Sequence, residues 1–209
     1  MRREILFLFV LFFITENAFA QKYLFYLHGK IVEDKGANAS NEAFGKYEYN
    51  DILAKFRKEH FVVISEVRQP NTDVKAYAHK VALQIDSLLK LGIKPDNITV
   101  VGASKGALIA MYVSTYLNNS HVNFVFLSSC NSYVLSNFSD ICFTGNILSV
   151  YEKSDESNQS CDKIKAHCTR SLFNYKEIEI NTGLKHGYLY KPIPEWTMPA
   201  ISWANGRYD

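Results

Sequence analysis

Short runs of β-branched and aromatic residues recur along this chain, and between them the apolar residues switch to helical spacing. This alternation narrows the possible folds more than any other feature. Strand-like runs stand at residues 23–27 (YLFYL), 61–67 (FVVISEV), 98–101, 122–127, 147–151 and 175–180. Between them, residues 47–59 place Tyr49, Ile52, Leu53 and Phe56 at helical spacing, and 73–91 do the same with Val74, Ala78, Val81, Ile85, Leu88 and Leu89 before Gly92. Residues 105–118 are apolar on nearly every side, which predicts a helix buried against a sheet. A polar helix is expected around 159–170, and Trp196 and Trp203 belong to a short C-terminal helical cover interrupted at Pro199. Residues 128–145 read as irregular. Strands alternating with helices require right-handed crossovers, so the predicted class is α/β: a three-layer sandwich whose mostly parallel, six-stranded sheet carries helices on both faces.

The N-terminus reads as a leader. Arg2 and Arg3 precede an apolar run from Ile5 to Ile14 and the small-residue ending Ala18-Phe19-Ala20. That pattern predicts a secretory signal peptide over 1–20, followed by a single domain over 21–209. The run is shorter than the roughly 20 residues of a membrane span, so no stable anchor is expected after cleavage. A formal net charge of +2 with scattered lysines argues against a dedicated nucleic-acid binder and points to a small-molecule partner. Cys130, Cys142, Cys161 and Cys168 would meet an oxidising, secreted or periplasmic environment. One or two disulfides are expected and three full pairings are open. A continuous helix would hold Cys161 and Cys168 about 10 Å apart, so a local bridge needs a broken helix. No metal or other cofactor is expected, since no C-x-x-C or close Cys/His grouping occurs.

At Ile98-Thr99-Val100-Val101-Gly102-Ala103-Ser104-Lys105-Gly106 a strand gives way at once to a helix. So sharp a reversal leaves no room for Cβ atoms at the two flanking positions, which glycine solves. Ser104 is thereby expected on a strained turn at the carboxyl end of the sheet, with a helix N-terminus behind it. A serine hydroxyl needs a positioned base and the base an orienting acid. His60, His79, His121 and His167 sit beside or within ordinary elements, His28 ends the first strand, and His186 occupies a loop with glycine on both sides, Gly183 and Gly187.

With these residues in this order the chain resembles the α/β-hydrolase superfamily, whose triad runs nucleophile, acid, histidine. The resemblance implies Ser104 as nucleophile and His186, after the last strand, as base. It places the acid after the penultimate strand, at Asp155, with Glu152 as the fallback. It further implies an oxyanion hole from the backbone N–H of Lys105 and of Gly29 or Lys30, in Leu27-His28-Gly29-Lys30. Two departures stand out: the two antiparallel strands that usually open the family's sheet are missing, and a lysine follows the nucleophile. The function so implied is a secreted serine hydrolase cleaving an ester or thioester through an acyl-enzyme. An acyltransferase with the same triad, or a binding protein that keeps only the fold, stands as the alternative. His28, Arg68 and Tyr133 are candidate substrate-binding residues; Lys105 with Arg68 would favour a negatively charged substrate, unless Lys105 points to solvent. The aromatics of 128–145 either line an acyl pocket or simply pack.

Overall fold

The computed structural model describes residues 21–157, 159–170 and 172–209, so the expected leader over 1–20 lies outside the described residues. Strand β1 (Tyr23–Leu27) leads through α1 (Lys30–Lys35) to a small antiparallel ribbon, β2 (Ser40–Asn41) and β3 (Gly45–Lys46). Then follow α2 (Tyr49–Lys58), β4 (Val62–Ile64), α3 (Val74–Lys90), β5 (Ile98–Ala103), α4 (Lys105–Leu117) and β6 (Asn123–Leu127). The chain continues through α5 (Ser132–Asn137), β7 (Asn146–Glu152), α6 (Asp162–His167), β8 (Asn174–Ile180), a 3-10 turn (Lys185–Tyr190) and α7 (Pro194–Ala204). The main sheet has six strands in the order β4-β1-β5-β6-β7-β8, every neighbouring pair parallel.

Strand side chains alternate between two cores, as period-two geometry requires. Leu24 and Tyr26 of β1, Val101 of β5, Val125 of β6 and Val150 of β7 face Ile52 and Phe56 of α2 and Trp196 and Trp203 of α7. Phe25, Val100, Phe124 and Ile147 face Val81 and Ile85 of α3 and Ile109 and Met111 of α4. Helix α4 is buried from Gly106 to Ser114, in keeping with its all-round apolar sequence. The sheet grows outward in both directions from the β1/β5 pair. The crevice beyond the carboxyl ends of those two strands is therefore the topological switch point, where ligands bind in open α/β sheets. Leu27-His28-Gly29 and Ala103-Ser104 end there.

Three expectations change. The segment 128–145 contains a short helix, α5, capped by Asn131, whose Oδ1 accepts from the Val134 amide at 2.9 Å. The segment after β1 holds α1 and the ribbon, both too short to leave a periodic signature. Helix α7 runs unbroken through Pro199. Its apolar face, Trp196, Ala200, Trp203 and Ala204, packs on the sheet. Glu195, whose carbonyl loses its partner to the proline ring, lies on the exposed face where water can satisfy it.

The disulfides join Cys130 to Cys161 and Cys142 to Cys168, with Cα atoms 5.1 and 4.8 Å apart. Both cross-links tie the segment that leads into β7 to the ends of α6, which separates Cys161 from Cys168.

Candidate active site

Ser104 stands between β5 and α4 at φ 53°, ψ −118°, a left-handed conformation that costs a non-glycine residue strain and is held by its surroundings. Its amide donates to Leu127 O at 2.8 Å, pinning the turn to β6. The glycines on either side are required by contact. A Cβ at Gly106 would lie 1.8 Å from Leu27 O, and one at Gly102 would lie 2.4 Å from Gly106 O. These clashes are with backbone, which cannot move aside.

His186 is the second residue of the 3-10 turn after β8, and its Nδ1 lies 2.6 Å from Oδ2 of Asp155, in the loop after β7. The carboxylate is nearly buried and the imidazole about a quarter exposed, at 6% and 27% of side-chain surface. Asp155 thus holds one ring nitrogen of His186, which lines a pocket together with Ser104. Glu152, the fallback acid, ends β7 and is wholly enclosed. Its carboxylate accepts from Ser154 N (3.1 Å), Ser154 Oγ (2.9 Å), Thr182 N (2.9 Å), Thr182 Oγ1 (2.7 Å) and Gly183 N (3.4 Å). Burial alone would push its carboxyl up, but these bonds outweigh that and hold it below the usual carboxylate range. Ser154 Oγ also accepts from the Lys185 amide at 3.1 Å. Glu152 therefore staples the loop of Asp155 to the loop of His186.

On the other side of Ser104, Gly29 caps α1 and Lys30 begins it, just as Lys105 begins α4. First-turn amides have no partner inside their own helix. Gly29 is close enough that an added Cβ would sit 3.6 Å from Ser104 Cβ.

The cations expected to read substrate charge share one carboxylate. Lys105, which also lines the larger of the two pockets beside Ser104, places Nζ 2.6 Å from Glu33 Oε1 and 2.7 Å from Thr72 O. Arg68 is buried, with Nε 3.1 Å from Glu33 Oε2 and its guanidinium donating to His28 O. His28 is fully buried: Nε2 accepts from the Arg68 amide at 3.0 Å and Nδ1 donates to Gly29 O at 2.8 Å. Burial and the Arg68 charge lower its pKa to about 4, so it is neutral. His28 and Arg68 are thus structural neighbours of the site and do not line its pockets. Lys105 and Arg68, the cations expected to favour an anionic substrate, both pair with Glu33, two positive charges on one carboxylate.

Two pockets meet at Ser104. One, of 170 Å³, is lined by Gly29, Lys30, Ile31, Tyr47, His186 and Tyr190 among others. The other, of 420 Å³, is lined by Lys30, Val74, Lys105, Leu108, Tyr133, Val134 and Phe138 among others. Tyr133 borders this larger pocket and is 63% exposed. Tyr47 and Tyr190, whose rings lie 5.0 Å apart, had no signature in the sequence, since Tyr47 precedes α2 and Tyr190 ends the short 3-10 turn. Glu33 was equally invisible, lying in a helix of six residues. Among the described residues no group of three or more His, Cys, Asp or Glu side chains could hold a metal ion, and no helix is long and apolar enough to cross a membrane.

No family model matches this chain, and no curated protein matches it. Solved structures do. SOBER1 of Arabidopsis thaliana superposes with a TM-score of 0.57 at 16% identity, over 91% of this chain and 100% of that one. Est1E of Butyrivibrio proteoclasticus, seen with bound ferulic acid, gives 0.59 at 12% identity, over 92% and 91%. The type II thioesterase YbtT of the yersiniabactin pathway gives 0.52 at 11%, over 93% and 96%. At such identities the likeness is one of fold.

Proposed function

Taking as premise that the chain has the α/β-hydrolase fold, we propose that it is a serine hydrolase that cleaves an ester or thioester of a small molecule through an acyl-enzyme on Ser104. The observation that carries this reading is the 2.6 Å contact of His186 with Asp155, on a ring that borders the same pocket as Ser104. In this mechanism His186 Nε2 takes the Ser104 proton as Oγ attacks the carbonyl carbon. The amides of Lys105 and of Gly29 or Lys30 receive the oxyanion, and Asp155 orients the imidazole and stabilises its cation. Collapse expels the alcohol or thiol, which takes the proton from His186. Water then attacks the acyl carbon, gives its proton to His186, and releases the acid and Ser104.

A general acid must reach the leaving group. The pocket lined by His186 therefore takes the alcohol or thiol, and the larger pocket lined by Leu108, Val134 and Phe138 takes the acyl group. Export fits the two disulfides, which persist in oxidising compartments.

The test is labelling of the oxidised protein with a fluorophosphonate, read by intact mass, followed by turnover of esters and thioesters of graded acyl length. Wild-type protein should gain one adduct and Ser104→Ala none. No adduct on folded wild-type protein would leave a binding protein on this fold. Added alcohol acceptors that divert the product to a new ester would make it a transferase.

A further inference from the structure

Glu33 is a buried carboxylate that the mechanism above does not use, and it touches both segments that supply the oxyanion donors. It lies on α1, one turn beyond Gly29 and Lys30. Its Oε1 takes Lys105 Nζ at 2.6 Å, on the first residue of α4, and the Thr72 amide at 3.2 Å. Its Oε2 takes Arg68 Nε. Arg68 in turn grips His28 O through its guanidinium and His28 Nε2 through its amide, and His28 Nδ1 closes on Gly29 O. The carbonyls of His28 and Gly29 are both committed, which fixes the peptide planes that carry the Gly29 and Lys30 amides.

We propose that Glu33 is a positioning residue of the oxyanion hole, coupling the start of α1 to the start of α4 through its bonds to Lys105 and Arg68. The inference rests on the serine-hydrolase reading. A helix of six residues does not hold its own first turn rigid, so its orientation must come from outside. Fold stability alone accounts poorly for the cluster. Buried ion pairs seldom exceed a hydrophobic replacement in stability. This one sets two cations against one carboxylate and leaves Arg68 Nη1 buried with no hydrogen-bond partner. A surplus of fixed positive charge beside the starts of α1 and α4 suits a place where negative charge develops during reaction, where donors act without reorganising.

The experiment compares Glu33→Gln, Lys105→Met and the double variant with wild type. It measures kcat and KM on 4-nitrophenyl acetate, inhibition by phenylboronic acid, which adds to a serine as a tetrahedral anion, and inhibition by acetate. Circular dichroism checks folding. Lys105→Met is the more tolerant variant, because Lys105 is partly exposed and Arg68 stays paired with Glu33. Expected is a fall in kcat of about tenfold to a hundredfold, below the ~10²–10³ lost when a donor is removed outright. KM and acetate inhibition should change less than about twofold, while phenylboronic acid weakens by the same factor as kcat. The double variant should be no worse than the worse single one, because both break one coupling. A folded Lys105→Met protein with wild-type kcat and boronic acid affinity overturns the proposal, as does a loss confined to KM. Failure of Lys105→Met to fold would make the cluster a support of the fold and overturn it too. If wild type takes up no fluorophosphonate, the hydrolase reading fails and this falls with it; if wild type is labelled and the variants behave like it, only the positioning role fails.

Discussion

At the scale of single residues, the site depends on atoms that are missing. Adding one methyl group at Gly106 would drive it to 1.8 Å from Leu27 O, whereas at Gly29, with φ −72°, it would meet its nearest neighbours at 3.6 Å. The same substitution should therefore have unlike effects. Gly106→Ala is expected to cost more than about 4 kcal/mol and to leave little folded protein, since relief needs movement of β1 or α4. Gly29→Ala should stay within about 1 kcal/mol of wild type, because the contact is an ordinary one. Urea denaturation of the two variants checks this; equal stabilities would mean that the strand-to-helix turn can relax. The glycine, serine, glycine spacing made this turn legible in the sequence, because only a close approach of backbone demands glycine twice in five positions with strand before and helix after.

At the scale of elements, two loops must meet for Asp155 and His186 to pair, and Glu152 is where they are joined. It belongs to β7 but bonds Thr182 and Gly183 beyond β8 as well as Ser154. Glu152→Gln replaces an acceptor facing Thr182 N with an amide donor, so at least one buried group loses its partner. That costs about 1–3 kcal/mol. Well below the unfolding midpoint, the variant should keep its fold while fluorophosphonate uptake at Ser104 slows by about tenfold or more. Uptake at the wild-type rate in a destabilised variant would restrict Glu152 to stability. The sequence placed the acid at Asp155 with Glu152 as fallback but carried no sign of this joining role, since the bonds from Glu152 to Thr182 and Gly183 depend on the pairing of β7 with β8.

At the scale of the whole molecule, a buried neutral histidine makes stability depend on pH. His28 faces Arg68, Glu33 and the edge of the Tyr49 ring, and its pKa stands at about 4 when folded against roughly 6.5 when unfolded. Between these values the unfolded chain binds the extra proton, so stability is full above about pH 6.5 and is lost as pH falls toward 4, by roughly 3 kcal/mol at most. Glu33 adds to the loss at lower pH: burial would raise its carboxyl, but Lys105 and Arg68 hold it below the usual range, so its contribution is present above about pH 4.3 and declines as that lower value is passed. Urea unfolding between pH 4 and 8 should show this slope, and His28→Gln should flatten it above pH 4.5. An unchanged slope in His28→Gln would assign acid sensitivity to other groups.

The sequence by itself determined the α/β class, the succession of the six long strands and their crossover helices, and the turn at Ser104. Each is written in local spacing: period two, period three to four, or glycine at a fixed offset. Helix α7 marks the limit of such local rules, since Pro199 predicts a break that packing of Trp196 and Trp203 overrides. Tertiary structure alone decided which cysteines pair and that Lys105 and Arg68 share the Glu33 carboxylate. Those outcomes depend on contacts between residues about 26 to 72 positions apart, and no local pattern encodes a distance across the sheet.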